Sequence, residues 1–142
     1  MSYQVLGLVM LSVFFWGLAP VVEKFAFSQT NIDPLIALTI RGVAAMLGLG
    51  VIILGMGKTQ NLFEITTKDV FCFTLSGLFA GLLGTWTYLS ALKLGEASQV
   101  VPISATYPLI TALLSFFVLN EDFSLSRILG TILIITGIWL IK

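Results

Sequence analysis

Histidine is absent from the 142 residues. That excludes imidazole proton relays, histidine metal sites and Ser-His or Cys-His catalysis. Cysteine occurs once, as Cys72, so the chain has no internal disulfide. Its apolar neighbours, Phe71 and Phe73, lead to the expectation of a buried, inert thiol. Charge is scarce: seven basic and seven acidic residues, 10% of the chain. A soluble domain carries about 25%, so an ordinary soluble enzyme, a nucleic-acid binder and a disordered chain are excluded. There is no G-x-x-x-x-G-K-[ST] sequence for an ATP motor. The apolar runs hold no Ser/Lys, Asp/Asp or metal-ligand cluster. No catalytic residue, metal site or cofactor is therefore expected. Before Lys24 there is no basic residue, and no small-x-small cleavage site lies directly after the first apolar run, so that run is expected to be a retained span.

What is present is apolar. Hydrophobic residues make up 58% of the sequence, and the mean hydropathy is +1.06. The natural solvent for this composition is a bilayer, where a spanning helix needs roughly 20 apolar residues. The pattern predicts an all-α integral membrane protein with one five-helix domain over 1–142 and spans near 3–24, 34–56, 70–92, 99–119 and 125–141. Asp33-Pro34 reads as an N-cap followed by proline at the first helical position. Gly57 and its polar neighbours read as a turn, and Thr66 with Asp69 as a capping box. Trp139 falls where an interfacial aromatic is favoured.

Five spans put the termini on opposite sides of the membrane. One side then holds Lys58, Lys68 and Arg127, the other Lys24, Lys93 and Lys142. With this balance the positive-inside rule favours neither orientation. Either other signals fix one orientation, or the chain inserts both ways and opposite copies pair.

Small and polar residues recur at helical spacing. In the third span Gly77, Gly81, Gly84 and Tyr88 share one face, and Gly77/Gly81 form a GxxxG pair. The Gly130/Gly137 seam of the fifth span reads as plain packing or as a subunit interface. In the fourth span Ser104, Tyr107, Thr111 and Ser115 line one face. Pro108 has no N–H to offer the carbonyl of Ser104, so a kink is expected there. Kinked membrane helices line cavities. The stripe with its proline reads as a cavity wall, against the alternative that the hydroxyls bond their own backbone or a neighbouring helix. Arg41 is the one charge clearly inside a span, roughly 10 Å along its helix from Pro34. It either snorkels or pairs with Glu23 or Glu96, or it anchors an anionic, carboxylate-bearing solute. Glu23 reads as an interfacial ion pair with Lys24 or as a proton or cation site. Trp16, near the end of the first span, reads as an interface anchor or as aromatic surface beside Tyr88 and Tyr107. Trp86 projects elsewhere and is expected to face lipid.

The order of short motifs resembles a known family. Residues 91–98, then Tyr107-Pro108-Leu109, Asn120-Glu121 and residues 127–131 are similar to the EamA domain of the drug/metabolite transporter superfamily. Trp16-Gly17 resembles the family's early WG, and Arg41 its arginine in the second helix. The resemblance covers essentially the whole chain. It implies one five-helix repeat where most relatives carry two packed as an inverted pair, so a half-size transporter that pairs as an antiparallel homodimer in a prokaryotic cytoplasmic membrane. The sequence departs from the small multidrug-resistance proteins, which carry four helices and a membrane-embedded glutamate in the first, because residues 5–22 here hold no acid. Glu121 matches the family's acidic residue after the fourth helix, and its turn position suggests loop structure or gating.

The leading expectation is a secondary transporter exporting a small metabolite or amino-acid-like solute by alternating access. Trp16, Arg41, Tyr88, Ser104, Tyr107 and Thr111 would contact the solute, and Glu23 or Glu121 would couple or gate. The alternative is a non-transporting membrane scaffold, or half of a heteromeric lipid-carrier flippase.

Overall fold

The computed structural model describes residues 3–119 and 125–140, and all regular structure among them is helical. Helix α1 (Tyr3–Gln29) carries no charge before Glu23 and runs past its expected end near residue 24. It stops where Ser28 Oγ donates to Phe25 O at 2.7 Å and Thr30 Oγ1 to Ala26 O at 3.0 Å. Those hydroxyls occupy carbonyls that a finished helix leaves open.

Helix α2 (Pro34–Gly55) begins as its sequence predicts. The Asp33 carboxylate accepts from Leu35 N at 2.8 Å, and Pro34 opens the first turn. It ends on a glycine in the left-handed region, Gly57 at φ +64°. Gly57 N donates to Leu54 O and Lys58 N to Ile53 O, the paired bonds of a Schellman ending. A single 3-10 turn, Gln60–Phe63, leads to the next span.

That third span is not one α-helix. Helix α3 (Thr67–Ser76) starts on the expected capping box, with Asp69 N donating to Thr66 Oγ1 and Thr66 N to Asp69 Oδ2. It passes into a π-helical segment, Gly77–Gly84, and then into α4 (Thr85–Leu94). The fourth span is divided as well, into α5 (Ala97–Ser104) and α6 (Tyr107–Leu119). Helix α7 (Leu125–Trp139) follows.

Among the described residues, four helical stretches are long and apolar enough to cross a bilayer: Tyr3–Gln29, Pro34–Gly55, Thr67–Leu94 and Ala97–Leu119. The fifth is shorter, with its apolar part at Ile128–Ile138.

The chain divides into two units. One comprises Met1–Lys24 with Leu94–Lys142, the other Phe25–Lys93. Within the first, Lys24 Nζ donates to Gly95 O at 2.6 Å. Within the second, Lys93 Nζ donates to Ile32 O at 2.8 Å. Few side chains are buried by the protein itself. Among the described residues, Pro20, Leu89 and Leu92 are the buried ones. Helices in lipid have no hydrophobic drive to hide from it, so open apolar faces are the expected state.

Candidate functional site

In the first unit the polar residues gather at the break in the fourth span. Helix α5 ends at Ser104, and Tyr107 opens α6 with Pro108 as its second residue. The interruption is sharper than the kink expected at Pro108. Proline cannot continue a helix from behind, because it lacks the N–H and its ring crowds the carbonyl four residues back, but it fits the first turn of a new one. Ala105 N bonds Val101 O and Pro102 O at 3.1 Å, and Thr106 N bonds Ile103 O at 3.2 Å, so the end of α5 tightens into three-residue turns.

The hydroxyls there bond their own backbone. Ser104 Oγ donates to Val101 O at 2.7 Å, Thr106 Oγ1 to Ile103 O at 2.8 Å and Thr111 Oγ1 to Tyr107 O at 3.3 Å. Each hydroxyl proton is thereby used locally, while its oxygen keeps acceptor capacity. Ser104, Tyr107 and Thr111 are all exposed, Tyr107 by 58%. Trp16, in the same unit on α1, is 67% exposed. Glu23 is half-buried, and its Oε2 atom is shut off from solvent. Gly130 and Gly137 on α7 have open space where a Cβ would sit.

In the second unit Arg41 is exposed on α2, and Tyr88 is half-buried on α4. The glycine face that was to run to Tyr88 is a correction. An α-helical register would align Gly77, Gly81, Gly84 and Tyr88, but the π segment puts more residues into each turn and breaks that alignment. A Cβ at Gly77 or Gly81 would meet nothing within 4 Å, whereas at Gly84 it would lie 3.1 Å from Phe79 O. The thiol of Cys72 is also corrected: it is exposed on α3 rather than buried. A weakly polar thiol sits in lipid without cost, so nothing drives it inward. Trp86 is 42% exposed, consistent with its expected outward face.

This unit also holds a depression of about 700 Å³ at the start of α3 that the sequence did not announce. Asn61, Glu64, Asp69, Phe73 and Thr74 line it. None of the expected solute-contacting residues does. Glu121 lies outside the described residues. Among those described, no group of three or more cysteine or acidic side chains is placed to hold a metal ion.

A model of the EamA-like transporter family matches residues 4–142. The chain belongs to that family. It is an integral membrane protein of the transporter class, and the interrupted fourth span lies within the matched region. This EamA-like chain is 32% identical over 129 residues to an uncharacterized transporter of Sinorhizobium sp, covering 90% of this chain and 89% of the relative. It is 30% identical over 138 residues to an uncharacterized protein of Methanocaldococcus jannaschii, covering 97% and 94%. An uncharacterized transporter of Archaeoglobus fulgidus matches at 26% over 77 residues, 54% of this chain and 28% of that protein. No solved structure matches.

Proposed function

We propose that the protein is a secondary transporter that exports a small metabolite or amino-acid-like solute by alternating access, working as an antiparallel homodimer. The observation that carries the reading is the break at Ala105–Thr106 inside an otherwise apolar span of a transporter-family chain. Interrupted backbone is tolerated at membrane depth where it lines a cavity or is buried in protein. Half-helix ends there bring backbone dipoles to a solute or coupling ion.

Ser104, Tyr107, Thr111 and Trp16 are the proposed solute contacts of the first unit, and Arg41 and Tyr88 those of the second. The hydroxyl oxygens would accept from the solute, since their protons already serve backbone carbonyls. Arg41 would meet a carboxylate. Glu23 and Glu121 are the proposed coupling or gating acids, and α7, with Gly130 and Gly137 open, is the proposed dimer seam.

Pairing of opposite copies is supported by the balanced basic residues. A fifth crossing by α7 is part of the same proposal.

The test is a thermal-shift screen of the purified protein in detergent against amino acids, organic acids, amines and sugars, followed by counterflow of the hits in proteoliposomes. Saturable stabilisation by one class and counterflow of that class are expected. Stabilisation by none, with tight co-purification of a different membrane protein, would replace this reading with the scaffold or heteromer.

A further inference from the structure

The third span contains a joint between a held half and an open half. On the held side, Leu89 is 1% exposed and Leu92 fully buried, and Lys93 Nζ is tied to Ile32 O. On the other side, every residue of α3 is exposed. Between them lies the π segment Gly77–Gly84, centred in the apolar span Thr67–Leu94. A wide turn at this depth has no water to satisfy carbonyls whose bonds are redirected. Thr85 reinforces the wide register, since its backbone N–H and its hydroxyl both reach Ala80 O. Thr85 Oγ1 donates to Ala80 O, five residues back, at 2.8 Å, and Thr87 Oγ1 lies 2.9 Å from Leu83 O and 3.0 Å from Gly84 O. Gly84 is matched to the same geometry. A Cβ there would press on Phe79 O at 3.1 Å, also five residues back, so any other residue must move that carbonyl.

We propose that Gly84 and Thr85 are positioning residues that hold this π segment as a two-state joint. Its conversion to regular α-helix turns α3 about the fixed α4. Removing roughly one residue of excess winding rotates α3 by about 100°. It also lengthens the span, because an α-helix fits fewer residues into each unit of length. π segments are short and rare, and they mark functional sites and strained sequence in helices. As a step in alternating access the joint rests on the transporter reading. Its existence as a two-state element does not.

The native Cys72 on α3 and an introduced Ala91→Cys on α4 place two spin labels across the joint, about 28 Å apart for a regular helix. Distances would be measured by pulsed electron paramagnetic resonance on the protein in phosphatidylethanolamine/phosphatidylglycerol nanodiscs. The wild-type joint should give two distance populations. Gly84→Ala should retain only the longer one. Thr85→Val, which keeps the side-chain shape and loses the hydroxyl, should raise the longer population severalfold. A single population unchanged by either substitution would overturn the joint. Two populations that respond as stated, in a protein that no solute stabilises, would leave the joint standing and remove the transporter reading.

Discussion

The ammonium group of Lys93 donates to the backbone carbonyl of Ile32, 2.8 Å away across 61 positions of sequence. It ties the end of α4 to the loop between α1 and α2. Lys24 does the corresponding work in the other unit, reaching Gly95 O. Two of the six lysine and arginine residues that entered the orientation balance are therefore also structural ties. Lys93→Met keeps the apolar stem and removes the donor. It should lower stability by about 2 kcal/mol, the scale of a hydrogen bond to a charged group, seen as earlier unfolding in a denaturant titration in micelles. Lys93→Arg should recover part of the loss.

Helix ends supply a second prediction. Thr66→Ala removes the hydroxyl that accepts from Asp69 N and donates to Asp69 Oδ2 at 2.6 Å. A cost of about 1 kcal/mol is expected. Gly57→Ala forces a Cβ into a left-handed position, with a similar cost of about 1 kcal/mol. The two sites belong to different helix ends, so the double variant should show near-additive loss in the same unfolding measurement.

Ser104→Leu and Thr111→Leu replace acceptor oxygens by apolar bulk at the break in the fourth span. Leucine is favoured in lipid, so both variants should insert and fold. Each should reduce solute-induced stabilisation about tenfold or more in apparent affinity. Ser76→Leu, at the end of α3, is the comparison and should change it little. Equal losses at all three positions would point to general packing damage rather than to solute contact.

Arg41 separates two roles by a conservative change. If it holds a carboxylate, Arg41→Lys should weaken binding of an anionic solute by at least about 1.4 kcal/mol, or tenfold, because lysine lacks the planar fork that meets two oxygens. If Arg41 only snorkels, the lysine variant should match wild type and Arg41→Gln should alter mainly insertion. Binding curves at low and high salt distinguish these outcomes.

Orientation gives the last prediction. Two lysines added to the turn at 57–61 should hold that turn in the cytoplasm. Expressed alone, that variant should lose transport, and co-expression with a chain biased the other way should restore it. Full activity of the biased chain alone would remove the antiparallel homodimer.

Much of the architecture was legible in the residues because helix boundaries are local chemistry. Asp33 with Pro34, Thr66 with Asp69, and Gly57 each settle one end within four residues of themselves. The apolar runs set the solvent before any contact is considered. Pro108 announced trouble in the fourth span, but one proline does not say whether a helix bends or stops. Its neighbours Ala105 and Thr106 closing into short turns made the stop. The third span misled, because glycines at 77, 81 and 84 look like a packing face when 3.6 residues per turn is assumed.

Composition and capping by themselves determined that this is a helical membrane protein, and roughly where each helix begins and ends. The order of its short motifs pointed to the EamA-like family. Only the folded chain decided that the third span widens at Gly77–Gly84 and that Cys72 is exposed. It alone placed Lys24 and Lys93 on loop carbonyls 71 and 61 positions away. A cap is chosen by neighbours a few residues apart, so the sequence displays it. A lysine's partner depends on which distant carbonyl the fold carries to it, and neither residue's local sequence records that distance.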